Sequence, residues 1–482
     1  MAYETVIGLE VHAQLNTKSK IFCGSSASFG GNPNEHTCTV DLGLPGVLPV
    51  LNRQVIEYTL RIGLAVGADI APVCRFARKH YFYPDLPKGY QISQYEEPIC
   101  TGGCVHFATK DGRDVSINLT RIHMEEDAGK LIHGNELGDP DHSYSDLNRA
   151  GVPLLEIVSE PELRNPEDAE SYMRKLRTLV RYLGISDGNM QEGSLRCDAN
   201  ISLRPQGSEK FGEKVEIKNM NSFRHLRRAL EYEEKRQREV LESGGVIHQE
   251  TRLWDESAGV TRGMRSKEYA HDYRYFPDPD LVPLTVDAKW LDEVRAQLPE
   301  LPDAKSKRFQ NEFGLPRYDA EVLTAEKELA GYFDQVVEAA GAGLAKSASN
   351  WVMGDVLRLL NEQKITINEC PITPERLAKL ISLIDDGTIS GKIAKTVFDQ
   401  VAESGTDPET IVEEKGLRQI TDTSAIESVV DDVLTSNPEE VEAYQGGKTK
   451  LMGFFVGQAM KATGGKANPR ALQEILREKL GS

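Results

Sequence analysis

The sequence predicts an α+β protein: an antiparallel-sheet domain, then an all-α helical domain, then a small helical tail domain. Apolar and polar residues alternate over residues 7–15, 196–203 and 214–218, so each segment is predicted to be a strand with one apolar and one polar face. Such strands are typical of an antiparallel sheet that is covered on one side. After about residue 303 the apolar residues recur at spacings of three and four, which predicts helices.

Two helices are predicted to interrupt the strands. The first follows Asn165-Pro166-Glu167, a capping residue with proline at the first helical position, and ends near Leu183. The second spans residues 222–243, where glutamate, lysine and arginine are densely interspersed. Further helices are predicted over residues 326–340, 349–363 and 373–386.

Proline and glycine mark two breaks in the chain. Residues 295–303 carry two prolines and are predicted to be a linker, and Gly405-Thr406-Asp407-Pro408 is predicted to separate the final segment. A chain of 482 residues is also too long for one hydrophobic core. The predicted domains are residues 1–295, 296–407 and 408–482.

Composition argues against a membrane-spanning, exported or disulfide-rich protein. No apolar run approaches the roughly 18 residues that cross a bilayer. The first six residues include neither a basic segment nor a following apolar block, so no export signal is predicted. Seven cysteines are an odd count at low density, which favours reduced thiols. We therefore expect a cytoplasmic protein with no membrane partner.

The net charge of −18 is unfavourable for binding nucleic acid, but it conceals an asymmetry. Residues 403–442 contain twelve acidic and two basic residues, whereas residues 445–482 contain seven basic and two acidic residues. A small basic module thus ends an acidic protein. A solvated helical face would give the same pattern, so this feature alone does not assign a function.

Several carboxylates stand on strand faces, where packing would favour threonine, valine or serine. Glu10 and His12 share one strand face, and Glu156 interrupts the apolar run 153–158. The others are Glu125, Glu126 and Asp127 after His123, and Glu192, Asp198 and Glu216. Charges in apolar runs are costly unless paired or bound to metal, and oxygen-rich clusters with an imidazole suit Mg²⁺, which bridges to phosphates. For any single glutamate, an ordinary solvated sheet face remains the alternative.

Familiar catalytic motifs are excluded. The segment ending in Gly447-Lys448-Thr449 lacks the first glycine of a P-loop, since Glu442 stands there, so ATP would have to be held in another way. No G-x-S-x-G motif is present, and no cysteine lies in a recognised nucleophile motif. An amidase or glutaminase activity of this chain is therefore not expected.

Two motifs place bases beside aromatic residues, namely residues 78–85 (RKHYFYPD) and 272–277 (DYRYFP). Bases can anchor phosphates while aromatic rings stack on a nucleobase, so both motifs are candidates for substrate contact. The alternative is an aromatic core with bases that reach the surface.

Together these strings resemble the B-subunit family of bacterial and archaeal aspartyl/glutamyl-tRNA amidotransferases. The matching stretches lie in collinear order over nearly the whole chain: residues 4–12 (ETVIGLEVH), 81–94 (YFYPDLPKGYQISQ), 121–130 (RIHMEEDAGK), 192–203 (EGSLRCDANISL), 216–223 (EIKNMNSF), 272–277 and 450–469.

The resemblance implies a cradle-shaped catalytic domain, a helical domain and a tail that grips tRNA. It implies a heterotrimer in which an amidase partner releases ammonia from glutamine and a third, small partner joins the other two chains. The family converts Glu-tRNA(Gln) to Gln-tRNA(Gln), and in many organisms Asp-tRNA(Asn) to Asn-tRNA(Asn). Its members use Mg-ATP to phosphorylate the side-chain carboxylate, and ammonia then displaces the phosphate. A non-catalytic tRNA-binding scaffold is the rival interpretation.

The resemblance also implies roles for individual residues. The catalytic candidates are Glu10, His12, Glu125, Glu126, Glu156, Glu192 and Glu216, and all but Glu126 are also candidate metal ligands. The candidates for contacting nucleotide or substrate are Lys79, Arg196, Asp198, Asn200, Lys218 and Asn219. The candidates for contacting tRNA are Lys448, Lys450, Lys461 and Lys466.

Zinc is the point at which the chain departs from the family. Many members hold zinc with four cysteines at the positions of Cys23, Ser25, Cys38 and Asp41, of which only two are thiols here. A structural zinc site normally needs four soft ligands in paired short spacings, whereas residues 23–25 and 38–41 offer one thiol each, and Cys100 and Cys104 form a separate C-x₃-C. Free thiols are therefore expected, and zinc is not.

Overall fold

The computed structural model describes residues 2–134, 139–264, 273–420 and 423–481, and the chain forms two compact units. The first unit ends at Leu301 and the second begins at Pro302. This junction lies inside the segment 295–303 predicted to be a linker, although a helix already occupies the residues up to Ala296.

The first unit contains the strands. They are β1 (Tyr3–Gln14), β2 (Asp69–Ile70), β3 (Val73–Cys74), β4 (Ala77–His80), β5 (Tyr90–Ser93), β6 (Cys100–Thr101), β7 (Cys104–Ala108), β8 (Asp114–Glu126), β9 (Lys130–His133), β10 (Ser143–Asp146), β11 (Pro153–Ser159), β12 (Leu195–Pro205), β13 (Val215–Lys218), β14 (Glu250–Asp255), β15 (Val260–Gly263), β16 (Phe276–Pro277) and β17 (Leu284–Thr285).

Ten of these strands form the main sheet. Their order is β15-β14-β13-β12-β1-β11-β8-β6-β2, and β7 also pairs with β8. The sheet confirms the predicted antiparallel arrangement with one exception, because β13 and β14 run parallel. Smaller sheets join β9 to β10, β3 to β17, and β16 to β4 and β5.

Four helices accompany the strands: α1 (Arg53–Ala65), α2 (Pro166–Tyr182), α3 (Phe223–Glu242) and α4 (Ala288–Ala296). The predictions of α2 and α3 are confirmed, and the side chains of Asn165 and Ser222 cap them by accepting backbone N–H groups. The prediction of only two helices before residue 295 is wrong, because it missed α1 and α4. The side chain of Asn52 caps α1 by accepting from the backbone N–H of Gln54, so the signal for that helix was present.

Alternation along the strands gives the sheet two different faces. On β1, Ile7, Leu9, Val11 and Ala13 are at most 1% exposed and belong to the main apolar core. Helices α1, α2 and α3 contact the sheet on that side. The even-numbered residues of β1 therefore lie on the opposite face, which carries the polar side chains.

The second unit is helical throughout its described residues. Its helices are α5 (Pro302–Phe313), α6 (Arg317–Leu323), α7 (Lys327–Ala340), α8 (Ala345–Trp351), α9 (Leu357–Gln363), α10 (Pro374–Asp385), α11 (Gly391–Ser404), α12 (Pro408–Glu414), α13 (Thr423–Ser436), α14 (Pro438–Gln445), α15 (Met452–Ala462) and α16 (Pro469–Leu480), with a π-helical turn at Val352–Val356 and short 3₁₀ turns at Ala342–Leu344, Ile367–Glu369 and Thr449–Leu451. The helices predicted over residues 326–340 and 373–386 are confirmed as α7 and α10. Residues 349–363 are helical as predicted, but the π-helical turn divides them between α8 and α9.

Two separate apolar cores stabilise this unit. One extends from Phe309 to Val412 and the other from Ile426 to Leu480. The break predicted at residues 405–408 falls just before α12, whose Ile411 and Val412 still pack in the first of these cores. Among the described residues, no helix is long and apolar enough to cross a bilayer.

Candidate active site

Strand register brings three of the candidate residues, Glu156, His12 and Arg196, into one line across the sheet with His123. His123 on β8 is paired with Glu156 on β11, Glu156 with His12 on β1, and His12 with Arg196 on β12. Residues paired in this way lie on the same face, with Cβ atoms about 5 Å apart. We call this line the histidine row.

Three side chains converge around this row and form what we call the acid–histidine cluster: His12, Glu125 and Glu156. His12 Nε2 lies 3.4 Å from Glu156 Oε2 and 3.8 Å from Glu125 Oε1. One ligand atom from each of the three residues lies within 4.8 Å of the other two. They come from three different strands that are far apart in the sequence, and only the sheet register places them together.

Further contacts hold the two carboxylates in place. Ser93 Oγ donates a hydrogen bond of 3.1 Å to Glu125 Oε2, and His123 Nε2 lies 3.6 Å from an oxygen of each glutamate. Arg121 Nη2 lies 3.6 Å from Glu156 Oε1. Glu125 is 4% exposed, so these partners replace much of the water that would solvate its charge.

The charges of the cluster shift one another's pKa values. Burial by itself lowers the pKa of His12, but its hydrogen bond to Glu156 and the charge of Glu125 raise it above the usual value. Burial raises the pKa of Glu156, but the hydrogen bond to His12 lowers it below the usual range. The pKa of Glu125 is likewise lowered, because the contact with His123 outweighs burial. The pKa shifts therefore favour ionised carboxylates at Glu125 and Glu156 beside a protonated His12.

Lys79, on β4, also faces this cluster. Burial lowers its pKa, but the nearby Tyr275, Glu125 and Glu156 raise it, so the ammonium form is favoured. Its Nζ lies 4.9 Å from the centre of the Tyr273 ring. The charges of Glu125 and Glu156 thus act on Lys79, and its assignment to the site stays a prediction.

The donor set of the cluster fits a hard divalent cation. Two carboxylate oxygens and one imidazole nitrogen converge, and Mg²⁺ prefers oxygen ligands while keeping some of its waters. A bound metal would balance the two negative charges in place of the protonated imidazole of His12. Glu125, Glu156 and His12 are thus the residues that would hold Mg²⁺.

A second line of polar residues lies two positions further along the same face. Glu10 is paired with Asp198, and Asn200 Nδ2 donates a hydrogen bond of 2.9 Å to Glu10 Oε1. Lys218 Nζ lies 2.5 Å from Asp198 Oδ2 and 3.0 Å from Glu216 Oε1. These five predicted residues therefore lie together, beside the acid–histidine cluster but outside its set of convergent ligand atoms.

Three predicted residues lie elsewhere. Glu126 is buried and bound by Lys88 Nζ at 2.5 Å and by the backbone N–H of Ile92, so it anchors β5 to β8. Glu192 is exposed in the turn before β12. Asn219 directly follows β13 and has a φ of 71°. Its side chain donates a hydrogen bond to the backbone oxygen of Trp254 on β14.

An ion-pair group centred on Asp127 lies at the end of the histidine row, and the sequence did not predict it. Asp127 Oδ2 lies 2.9 Å from Arg196 Nη2, 3.7 Å from Arg149 Nε, and accepts a hydrogen bond of 2.7 Å from Gln14. These contacts orient Arg196 beside His12. Alternation alone places Gln14 on the face of His12, but no local pattern reveals the contribution of Arg149.

The aromatic residues of the two basic motifs are largely exposed. Phe82 is 87% exposed, Phe276 44% and Tyr273 38%, which does not fit a closed aromatic core. Tyr95 and Tyr275 stack with ring centres 4.1 Å apart. Asp272, the first residue of the second motif, lies outside the described residues.

Cys23, Cys38 and Asp41 form a second group of potential ligands in the described part of the chain. A buried lysine already neutralises this group, because Lys20 Nζ lies 3.3 Å from Asp41 Oδ2 and its side chain is 0% exposed. Ser25 Oγ donates a 3.0 Å hydrogen bond to the same oxygen. Two thiols and one lysine-paired carboxylate do not fit a structural zinc site, which has four sulfur or nitrogen ligands.

The tail lysines lie at the surface of the second unit. Lys448, Lys450 and Lys461 are exposed, and Lys466 is half-buried. By contrast, Lys479 pairs with Asp431 at 2.6 Å. The first three are therefore accessible to a charged partner.

Comparison with known proteins identifies the family. Residues 5–292 match the GatB/GatE catalytic domain and residues 331–480 match the GatB domain. The chain is 59% identical to a protein of Syntrophotalea carbinolica over 478 residues, 99% of this chain and 98% of that one. It is 59% identical to a protein of Geotalea uraniireducens over 480 residues, 100% of each chain to the nearest per cent, and 57% identical to one of Carboxydothermus hydrogenoformans over 99% of both. All three relatives carry the same name, and the chain belongs to their family, the B subunits of aspartyl/glutamyl-tRNA(Asn/Gln) amidotransferase.

Proposed function

We propose that this chain uses Mg-ATP to phosphorylate the side-chain carboxylate of Glu-tRNA(Gln), Asp-tRNA(Asn) or both, so that ammonia can convert it to an amide. The observation that supports this best is the convergence of His12, Glu125 and Glu156 on the polar face of the sheet. The names of its relatives specify the aminoacyl-tRNA substrates.

The chemistry explains why a site of this kind is needed. A carboxylate is a poor electrophile because its oxygen is a poor leaving group. In the first step a substrate carboxylate oxygen bonds to the γ-phosphorus of ATP while the bond to ADP breaks. In the second step ammonia attacks the acyl carbon, loses a proton and displaces inorganic phosphate. When bound, Mg²⁺ supplies neutralisation of the charge on the phosphate oxygens.

The protein's own cations complete this arrangement. Arg196 is oriented by Asp127 beside His12, and Lys79 faces Glu125 and Glu156. Both side chains can bind phosphate oxygens near the cluster, since charged hydrogen bonds to phosphate are strong and directional. The rigid sheet holds these groups without a conformational cost at each turnover.

The family assignment implies partner chains. Since the sequence has no motif for an amidase, we propose that a separate amidase chain supplies the ammonia and that a third, small chain completes a cytoplasmic heterotrimer. The exposed lysines at positions 448, 450 and 461 of the tail would contact tRNA phosphates, because exposed positive charge supplies most of the sequence-independent affinity for nucleic acid.

The test replaces each carboxylate of the cluster by its uncharged isostere. In the assembled enzyme, Glu125→Gln and Glu156→Gln are expected to lower Glu-tRNA-dependent ATP hydrolysis by about a hundredfold or more, because the divalent cation loses a charged ligand. Glutamine hydrolysis and assembly of the complex are expected to persist. The matched control is Glu231→Gln on α3, whose carboxylate is exposed and pairs with Arg227.

ATP hydrolysis at the wild-type rate in both variants would contradict the proposal. It would favour the rival interpretation, in which the chain is a tRNA-binding scaffold and a partner performs both half-reactions.

A further inference from the structure

The two motifs of bases and aromatic residues meet in the structure, because β16 pairs with β4 in one of the smaller sheets. A cleft of about 300 Å³ opens beside this pairing. The residues that line it include Arg75, Tyr95, Glu96, Tyr275 and Phe276. The proposed function assigns no role to this cleft.

Strand register makes the cleft continuous with the acid–histidine cluster. Ala77, which lines the cleft, is paired with Ser93 across β4 and β5, so the two side chains share one face. Ser93 Oγ in turn donates to Glu125 Oε2 at 3.1 Å. Lys79 follows Ala77 two residues along β4 and therefore lies on the same face. The cleft thus begins within roughly 10 Å of the Glu125 carboxylate, since paired side chains start about 5 Å apart.

The substrate needs a site for its nucleoside at about this distance. In an aminoacyl-tRNA the amino acid is esterified to the ribose of the 3′-terminal adenosine. An extended glutamyl group places its side-chain carboxylate roughly 6 Å from the ester oxygen, and the base lies a further ~5 Å away. When that carboxylate is at the cluster, the terminal adenine is therefore expected at the cleft.

Exposed aromatic rings in the cleft can bind a base by stacking. Tyr95 and Tyr275 stack with ring centres 4.1 Å apart and planes inclined by 13°, and Tyr95 is still 50% exposed. Phe276 stacks on His80 with ring centres 4.7 Å apart and is 44% exposed. Rings already held in this way lose little freedom when a base joins the stack, and such stacking contributes strongly to the binding of unpaired nucleotides.

The charged residues of the cleft also suit a nucleotide. Arg75 Nη1 lies 2.7 and 2.9 Å from the two carboxylate oxygens of Glu97, which neutralises that charge. The arginine side chain is 50% exposed, so its other nitrogens can donate to a phosphate. Glu96 is exposed, and its carboxylate can accept from a ribose hydroxyl or from the amino group of adenine.

We propose that the cleft between Tyr95, Tyr275 and Phe276 binds the 3′-terminal adenosine of the aminoacyl-tRNA by stacking, and so positions the esterified amino acid at the acid–histidine cluster. This proposal rests on the proposed function, which brings the side-chain carboxylate to the cluster but does not specify what holds the terminal nucleoside.

The test uses tRNA(Gln) in which 2-aminopurine replaces the terminal adenine, because stacking on an aromatic ring quenches the fluorescence of this base. Binding to the assembled enzyme is expected to quench it. Tyr95→Leu removes a ring of the stack and is expected to restore most of the fluorescence. It is also expected to raise the KM for Glu-tRNA in ATP hydrolysis about tenfold. Tyr95→Phe keeps the ring and is expected to behave as the wild type.

Two further variants complete the test. Phe276→Leu removes a second exposed ring of the cleft and is expected to raise the KM for Glu-tRNA as well. Tyr318→Leu on α6 is the matched control, because that ring is 69% exposed on the second unit. It is expected to leave both the quenching and the KM unchanged.

The alternative outcomes are distinct. If the wild-type enzyme hydrolyses ATP in response to Glu-tRNA but does not quench 2-aminopurine, the proposal is wrong and the proposed function stands. The same holds if Tyr95→Leu and Tyr318→Leu quench it equally. If Tyr95→Leu weakens assembly with a partner chain and leaves the quenching unchanged, the cleft is a protein-binding surface, which also overturns the proposal. If the wild-type enzyme shows no ATP hydrolysis that depends on Glu-tRNA, the proposed function itself fails.

Discussion

His12 shows how one side chain can balance the charges of a site before a metal binds. It lies between Glu125 and Glu156, and protonated imidazole is attracted to both carboxylates. A divalent cation bound to the same atoms would compete with that proton, because only neutral imidazole can be a ligand.

This competition predicts a dependence of stability on pH. The pKa of His12 is raised above 6.5 in the folded chain, so its contribution to the free energy of unfolding is complete below pH 6.5 and is lost as the pH rises through the raised pKa. Without metal, we expect the free energy of unfolding to fall over that window. Mg²⁺ is expected to cancel the loss, because it neutralises the carboxylates.

The measurement is urea unfolding across neutral and mildly alkaline pH, with and without Mg²⁺. In His12→Asn both the loss with pH and the effect of pH on Mg²⁺ affinity are expected to disappear. A loss that persists unchanged in this variant would assign the titration to another group.

At the scale of elements, a buried ion pair fixes the segment that carries Cys23 and Cys38. Lys20 Nζ contacts Asp41 and donates to the backbone oxygen of Leu147 at 3.3 Å. Cys23 Sγ lies 3.5 Å from Asp41 Oδ1, and burial together with that carboxylate raises the pKa of this thiol to about 11. The thiol is therefore protonated at neutral pH without metal, and a metal would have to displace that proton to bind the sulfur.

We predict that removing metal ions leaves the stability of this segment unchanged, whereas removing the lysine does not. Lys20→Met would leave the Asp41 carboxylate buried without its cation, at a cost of about 3–5 kcal/mol in the free energy of unfolding. Lys20→Met combined with Asp41→Leu is expected to recover part of it. Denaturant unfolding with and without a strong zinc chelator measures both effects, and a chelator-dependent loss of stability, with one bound zinc per chain, would refute the prediction.

The main sheet has one apolar and one polar face, and this difference makes the site possible. Its apolar face packs on α1, α2 and α3, so its polar face can carry charges that would be too costly in the core. The parallel pairing of β13 and β14 was not predicted, because local alternation does not distinguish parallel from antiparallel neighbours.

At the scale of the whole molecule, the charge is strongly segregated along the chain. The exposed lysines of the tail stand out from a chain with a net charge of −18, and the acidic segment 403–442 precedes them. Repulsion between that segment and phosphates can favour one orientation of bound tRNA.

We predict that replacing Lys448, Lys450 and Lys461 by glutamine weakens tRNA binding and lowers the slope of log affinity against log salt by up to ~0.9 per lost phosphate contact. Lys235→Gln and Lys289→Gln are the matched control, because these two side chains are 77% and 87% exposed on the first unit. Fluorescence titration of tRNA from low to high salt measures the slope. Equal slopes for the tail variant and the control would contradict the prediction. The tail lysines would then be part of an ordinary solvated helical face.

Local patterns in the chain were enough to predict the two-sided strands, the helices with strong caps and the common face of Glu10 and His12. These features depend on neighbours within a few residues, so alternation and capping reveal them. The same patterns missed α1, and they were not used to separate Glu125 from Glu126, although adjacent strand residues point to opposite faces.

Which distant residues meet depends instead on the folded chain. The pairing of β1 with β11 and of β11 with β8 brings Glu156 and Glu125 to His12, and leaves Glu192 in an exposed turn. Register between distant strands is set by backbone hydrogen bonds and by the packing of the whole apolar face, and a shift of one residue would turn every one of these side chains into the core. No local pattern contains that information. For the same reason, the sequence did not predict that Lys20 is buried beside Asp41.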